Sequence, residues 1–353
     1  MTGTQTPASQ LERELLEQGT VLSRRAPIAA AAAKAAAEAI GGADVDYLLI
    51  AARGSSDNAA RFAQYAFGAE THLTVALAAP SLFAAPESAP DLRGAALLGI
   101  SQSGQSPDIV SVLRAARLQG RPTIALTNDE GSPLAAEADV VVPLAAGAER
   151  SVAATKTYLA SLHAVLQILE HLSPRPERAA WLERLPGLVD EVVEQQLSRR
   201  SAFEPLDCAR MLTAVGRGLD FSAAHETALK IRELSGIMAE AFSPADLLHG
   251  PIAALGPEGA LWVIDTLPGR DQAVATLFEQ VHDRGIQTVV VSQRPPEAST
   301  PGPLLVPLPA ELPHWVASIL AILPGQVAAM HLAQRRGVDL DRPHGLSKVT
   351  MTR

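Results

Sequence analysis

Two tandem α/β domains, each a doubly wound parallel sheet with helices on both faces, are what this sequence predicts. Three observations carry that expectation. From Asp46 onward, short apolar runs alternate with stretches of helical spacing. The alternation stops at a charged, Pro-punctuated stretch and then restarts. The two halves also share an internal echo of strand, Arg-Gly, polar turn and Ala-rich helix. Buried strands alternating with helices imply βαβ units, whose crossover helices cover both faces of a parallel sheet. A chain of 353 residues is long enough for two domains of ordinary size, each with its own core.

The elements follow in order. Residues 1–40 read as an N-terminal helical segment, since "IAAAAAKAAAEAI" is built on Ala, the best helix former. Lys34 and Glu38 interrupt that run and make a soluble helix of it. The first sheet domain, 41–172, holds strands at 47–52, 73–78, 95–100, 122–127 and 139–144. Its helices include 106–120 and a long one over about 153–172. A helical linker, 173–200, carries the prolines and charges. The second domain, 201–340, holds strands at 209–216, 259–265, 286–293 and 303–309, and ends in a helix over about 312–335. Residues 341–353 form a tail. The echo pairs "LLIAARGSSDNAARFAQYA" with "LTAVGRGLDFSAAHETALK" and suggests a duplicated domain.

Composition narrows the function. A net charge of −9 with no Lys/Arg stripe argues against nucleic acid as a partner. The single cysteine, Cys208, excludes an internal disulfide framework and a Cys-rich zinc site, and suits a reducing cytoplasm. The N-terminus shows no basic region followed by an apolar core, and nowhere do 18 uncharged apolar residues run together, so neither a signal peptide nor a membrane span is expected.

Six stretches carry candidate chemistry. In "GISQSGQSPDI", the strand 95–100 opens into Ser101, Gln102, Ser103, Gly104, Gln105 and Ser106 before Pro107 starts a helix. Ligands of open α/β sheets bind beyond the carboxyl ends of the strands, and a helix start there presents unpaired N–H groups to an anion. Ser106 suits an N-cap and Pro107 the first helical position. A second polar turn, "RGSSDN", places Ser55 and Ser56 at a helix start of the same sheet. Two such turns together favour a phosphorylated small molecule. The third stretch, "ERSVAATKTYLA", reads as close packing of small residues, with Lys156 a surface cation or a partner for strand-end carbonyls. In "HETALKIRELSG", Glu226, Lys230 and Glu233 share one helical face, either as a solvated ladder or as a general base held beside substrate. His249 sits in a turn-forming "HGP", and Lys348 in a tail that would ordinarily fray.

These stretches occur together and in order in the sugar isomerase (SIS) family. The chain resembles the isomerase half of glucosamine-6-phosphate synthases, and still more the stand-alone SIS-type glucosamine-6-phosphate deaminases, over about residues 10 to 353. The matching stretches include "RGSSDN", "SQSGQSPD", "SVAATKTY", "ALKIRELS", "LLHGP" and "RPHGLSKVT". The resemblance implies two flavodoxin-like SIS domains and a phosphosugar substrate. It implies that Ser101, Gln102, Ser103 and Ser106 grip the phosphate, that Ser55 and Ser56 line the sugar, and that the turn from Val152 to Ala154 supplies backbone contacts. Glu233 would shuttle a proton between C1 and C2, and Lys230 would steady the oxyanion. His249 would assist ring opening, reaching into the site of a neighbouring copy in a homodimer. Lys348, from a tail that closes the site, would bind the open-chain sugar or form a Schiff base with it. No metal or cofactor is implied.

Departures from the synthase pattern bear on the reaction. No glutaminase half with a leading catalytic cysteine is present, residue 2 being Thr2. Ala154 stands where synthases commonly have a serine, Arg232 replaces a lysine, and Ala245, Asp246, Leu247 and Leu248 replace a Gly-Glu-Leu-Lys run. Ammonia release is therefore the expectation: glucosamine 6-phosphate and water to fructose 6-phosphate and ammonia. The alternatives are a glutaminase-less, synthase-like aminotransferase, a deglycase or isomerase of another phosphosugar, and a phosphosugar sensor without turnover.

Overall fold

The computed structural model describes residues 9–85, 89–269, 271–294, 302–342, 345 and 348. Two helices come first, α1 (Gln10–Leu16) and α2 (Gln18–Ile40). The first sheet holds β1 (Tyr47–Ala52), β2 (Thr74–Leu77), β3 (Ala95–Ile100), β4 (Thr123–Thr127) and β5 (Val140–Pro143). Its helices are α3 (Ser55–Thr71), α4 (Pro107–Leu118), α5 (Pro133–Ala136) and α6 (Lys156–Leu172), and α7 (Pro176–Ser198) leads onward. The second sheet holds β6 (Met211–Val215), β7 (Met238–Phe242), β8 (Gly259–Asp265), β9 (Gln287–Ser292) and β10 (Leu304–Pro307). Around it lie α8 (Leu219–Ser235), α9 (Pro244–Leu248), α10 (Gln272–Val281), α11 (His314–Leu320) and α12 (Ile322–Arg335).

Both sheets are parallel and share one topology. The orders are β2-β1-β3-β4-β5 and β10-β9-β8-β6-β7, so in each the chain starts near the middle, steps to one edge, and then crosses to the other. That reversal leaves a crevice at the carboxyl ends of the first and third strands, where open α/β sheets take their ligands. The central strands β3 and β8 are buried at every position, which is why they read as unbroken apolar runs.

One strand was not anticipated. β7, "MAEAF", alternates exposed and buried residues around Glu240 at a sheet edge, and its five residues carry little of the apolar signal that marks a covered strand. The last helical stretch, His314–Arg335, is long and apolar enough by composition to cross a membrane, but its apolar window is wholly buried within the protein. It packs on α8 and α7, so it is a core helix.

The halves share one core. Phe62 and Leu166 of the first half, Val192 of α7, and Ala228 and Val327 of the second belong to a single buried cluster. At its centre α3 packs against α8 and α6, which brings the starts of the two Arg-Gly helices side by side.

Candidate active site

Two hydroxyl-bearing loops leave neighbouring strands of the first sheet. β1 enters α3 through Gly54, at φ 56 and ψ −132, a conformation that a side chain at Cβ would strain. Ser55 and Ser56 are the first residues of α3, both half-buried. β3 enters α4 through residues 101–106. There the buried Ser101 accepts the Gly104 N–H on its Oγ at 3.1 Å, and Ser103 Oγ accepts the Gln105 N–H at 3.2 Å. Accepting a backbone N–H leaves each hydroxyl its own proton to donate elsewhere. Gly104 has φ +61, and a Cβ there would lie 2.0 Å from Ser132 Oγ, so only glycine closes the loop. The Gln102 carbonyl anchors it by accepting the Asn128 N–H at 3.0 Å. Ser106 occupies the N-cap of α4 and Pro107 its first position, as expected, with no cap bond from the serine hydroxyl. Arg53 Nε donates to Asp108 Oδ2 at 2.8 Å and clasps one loop to the other.

Across from these loops, α8 presents Glu226, Lys230 and Glu233 on one face. A solvated ladder is excluded, because Glu226 is 0% and Lys230 1% exposed. Lys230 Nζ lies 2.5 Å from Glu233 Oε2 and 3.6 Å from Glu226 Oε1. Glu226 in turn accepts Ser55 Oγ at 2.8 Å and Asn58 Nδ2 at 2.7 Å, so the second half's helix is stitched to the first half's turn. Burial pushes the Glu226 carboxyl above the usual carboxylate range, although Lys230 and its hydrogen bonds pull the other way. Burial alone would lower Lys230, but Glu226 and Glu233, with Glu149 beyond them, outweigh it and raise the ammonium above the ordinary lysine range. A cation thus persists in the interior, beside a carboxylate that is 27% exposed, Glu233.

Glu149 is the residue that sequence reasoning missed. Its side chain is wholly buried and accepts the Thr155 and Thr157 N–H groups at 3.0 Å each and Thr157 Oγ1 at 2.8 Å. It also takes Lys348 Nζ at 2.6 Å. Burial pushes the Glu149 carboxyl up, but Lys348 and the N–H donors prevail and hold it below the usual carboxylate range. In the sequence it is one acidic residue in a loop of small ones, and only the curl of 149–157 back onto itself reveals the site. Val152 and Ala154 lie on that curl, half-buried.

Two further placements complete the picture. Lys156 is neither a surface cation nor a partner of the strand-end carbonyls. It is 3% exposed, with Nζ 2.5 Å from Glu17 at the junction of α1 and α2. The carbonyls go to arginines of α2: Arg24 binds Ala145 O at 2.9 Å and Arg25 binds Leu144 O at 3.2 Å. His249 stands exposed at the C-cap of α9, and its ring makes no hydrogen bond among the described residues. The structure therefore joins Ser55, Glu226, Lys230 and Glu233 in one contact chain, with Glu149 and Lys348 paired within electrostatic reach of Lys230, and leaves His249 outside it. Of the tail, Asp341, Arg342, Gly345 and Lys348 are described and the rest lies outside the described residues. Among the described residues, no group of three His, Cys, Asp or Glu is arranged to hold a metal ion.

Comparison with known proteins adds four likenesses. A family model described as "SIS domain" matches residues 43–171 and 206–299. Over 363 aligned residues the chain is 30% identical to a glutamine–fructose-6-phosphate aminotransferase (isomerizing) of Brucella abortus, covering 96% of this chain and 58% of that protein. The chain thus spans little more than half the length of such relatives. Among solved structures, the C-terminal domain of the glucosamine-fructose-6-phosphate aminotransferase of Francisella tularensis superposes with a TM-score of 0.82 at 24% identity, covering 95% of this chain and 98% of that one. A glucosamine-6-phosphate deaminase of Thermotoga maritima gives 0.76 at 21% identity, covering 98% and 100%. At those identities the two structures speak to the fold alone.

Proposed function

This chain belongs to the SIS domain family, and we propose that within it the chain is an isomerising deaminase, converting glucosamine 6-phosphate and water to fructose 6-phosphate and ammonia. One observation carries the reading: a buried Lys230 ammonium holds the partly exposed Glu233 carboxylate and, through Glu226, is joined to Ser55 at the end of β1. The loop 101–106 grips the phosphate with Ser101, Gln102, Ser103, Ser106 and the α4 N–H groups, and Ser55, Ser56 and the turn from Val152 to Ala154 line the sugar.

The chemistry needs no group beyond these side chains and water. After the ring opens, Glu233 removes the C2 proton and returns it to C1, passing through an enolamine. Lys230, kept protonated by the carboxylates around it, donates to O1 as negative charge develops there. The product of that transfer is a C2 imine. Water adds to C2, the C–N bond breaks, and ammonia leaves. Lys348 meets the open-chain sugar from its place on Glu149, and His249 opens the ring in the site of a second copy, so the working unit in the cytoplasm is a homodimer.

Synthesis is the second reading, favoured by the 30% identity to an aminotransferase. Ammonia release from glucosamine 6-phosphate, measured with and without added glutamine, separates the two. A panel of phosphosugars compared by kcat/KM identifies the sugar, and tight phosphosugar binding without product would point to a sensor. Glu233→Gln should lower ammonia release by about 10³-fold, with sugar-phosphate affinity held within about threefold. Near-wild-type release by that variant overturns the assignment.

A further inference from the structure

The N-terminal helices have a part in the site that no residue of the acid–base cluster reveals. Glu14 of α1 is fully buried, and among the described residues no cation pairs with it. Its carboxylate is spent on the backbone that follows Glu149: it accepts the Arg150 N–H at 2.5 Å, the Ser151 N–H at 3.2 Å and the Ser151 hydroxyl in a short bond. Gln10 Nε2 supports it from one turn back, at 3.0 Å. The same helix also holds the tail, since the Gln10 N–H donates to Asp341 Oδ1 at 2.8 Å. Residues of α1, α2 and their junction thus grip 144–156 at successive points: Arg25 and Arg24 at the strand end, Glu14 at 150–151, and Glu17 at Lys156.

We propose that Glu14 is a positioning residue of the active site, acting through Glu149 and Lys348. By fixing Arg150 and Ser151 it holds the neighbouring Glu149 with its carboxylate toward Lys348, while the α1 start holds Asp341. Loss of the Glu14 carboxylate strands the Arg150 and Ser151 N–H groups and leaves the Ser151 hydroxyl only the Ala153 carbonyl, so the loop must move to rehydrate the freed donors. A shift of about an ångström in a positioned group is enough to cost roughly 100-fold in turnover. The phosphate grip at 101–106 makes none of these contacts, so binding should survive where turnover does not. The inference deepens the function proposed above and rests on it for the sugar, but its first readout does not.

That readout is the reactivity of Lys348 toward acetic anhydride, measured by peptide mass spectrometry against the exposed Lys34 as internal standard. Glu14→Ala should raise Lys348 acetylation several-fold, toward the level of Glu149→Ala, whose lysine has lost its partner outright. In the same variant kcat should fall roughly 10- to 100-fold with KM for glucosamine 6-phosphate within about threefold. If Glu14→Ala fails to unfold cooperatively, Glu14→Gln, which keeps the volume and one acceptor oxygen, carries the same measurements. Unchanged Lys348 acetylation overturns the proposal. Raised acetylation with wild-type kcat, or a rise in KM as large as the fall in kcat, also overturns it. If the wild-type chain turns over no glucosamine 6-phosphate, the acetylation arm still decides the Glu14 grip, and it is the deaminase reading that fails.

Discussion

In the first half the Arg-Gly turn leads into Ser55 and Ser56; in the second the same turn leads into Leu219 and Asp220. The backbones agree closely, with Gly54 at φ 56, ψ −132 and Gly218 at φ 62, ψ −127. Each arginine clasps an aspartate at the start of the helix that follows the third strand of its sheet, Arg53 to Asp108 at 2.8 Å and Arg217 to Asp271 at 2.9 Å. The side chains then diverge. Asp220 is buried and accepts the Thr266 N–H at 2.9 Å, Thr266 Oγ1 at 2.6 Å and Ser318 Oγ at 2.5 Å. The second half has filled its strand-end anion position with its own carboxylate. Further along the helices the asymmetry reverses: where α8 has Glu226, Lys230 and Glu233, the matching positions of α3 hold Phe62, Ala66 and Ala69. The first half supplies hydroxyls, of which Ser55 is already given to Glu226, and the second supplies charge. A duplicated fold provides two strand-end crevices, and the internal use of donors decides which of them has polar groups to spare.

The largest test of that division removes the charge that the second half lends. Lys230→Met strands two carboxylates, one wholly buried, and should cost about 3–5 kcal/mol in urea unfolding together with a fall in kcat of at least about 10²-fold. A variant retaining wild-type turnover would break the comparison. A middle-sized effect comes from treating the two crevices alike. Ser103→Ala should raise KM for the phosphosugar about tenfold and leave Tm near wild type, because the hydroxyl proton is uncommitted and the one bond lost, from the Gln105 N–H, is local and only part-buried. Asp220→Ala should do the reverse, lowering stability by about 2–3 kcal/mol with KM unchanged, because its acceptors are spent inside. A rise in KM from Asp220→Ala would mean that the second crevice also sees substrate.

The effect that is smallest at neutral pH emerges only in acid, and it belongs to the first half. Burial and the adjacent Arg25 lower the His163 pKa from 6.5 to about 3. The unfolded chain takes up that proton near 6.5 and the folded chain does not until about 3, so folding stability falls as pH drops through that interval. In His163→Gln the urea-unfolding curve against pH should be flatter between those limits. Parallel curves would place the acid sensitivity elsewhere, His225 being next, lowered to about 4 by burial and its neighbours Arg61 and Arg232.

Legibility followed the range of the interaction. β1, β3 and β8 can be read to the residue from "YLLIAA", "AALLGI" and "GALWVID", because a covered parallel strand writes its burial into consecutive residues. The helical face of Glu226, Lys230 and Glu233 follows from spacing alone. β7 escaped because an edge strand is covered on few sides, and Lys156 was misjudged because its partner Glu17 is far away in the chain. Glu14, Glu149 and Asp220 are single acidic residues in the sequence, with nothing local to mark their different fates. By itself the sequence determined the two sheets, their shared topology and the residue types available at each strand end, since these depend on local periodicity and turn chemistry. Only the tertiary structure decided which carboxylate is buried against backbone donors, which meets a lysine and which stays partly exposed. Those choices depend on contacts between segments distant in the chain, and burial, which makes such contacts strong, is a property of the packed whole.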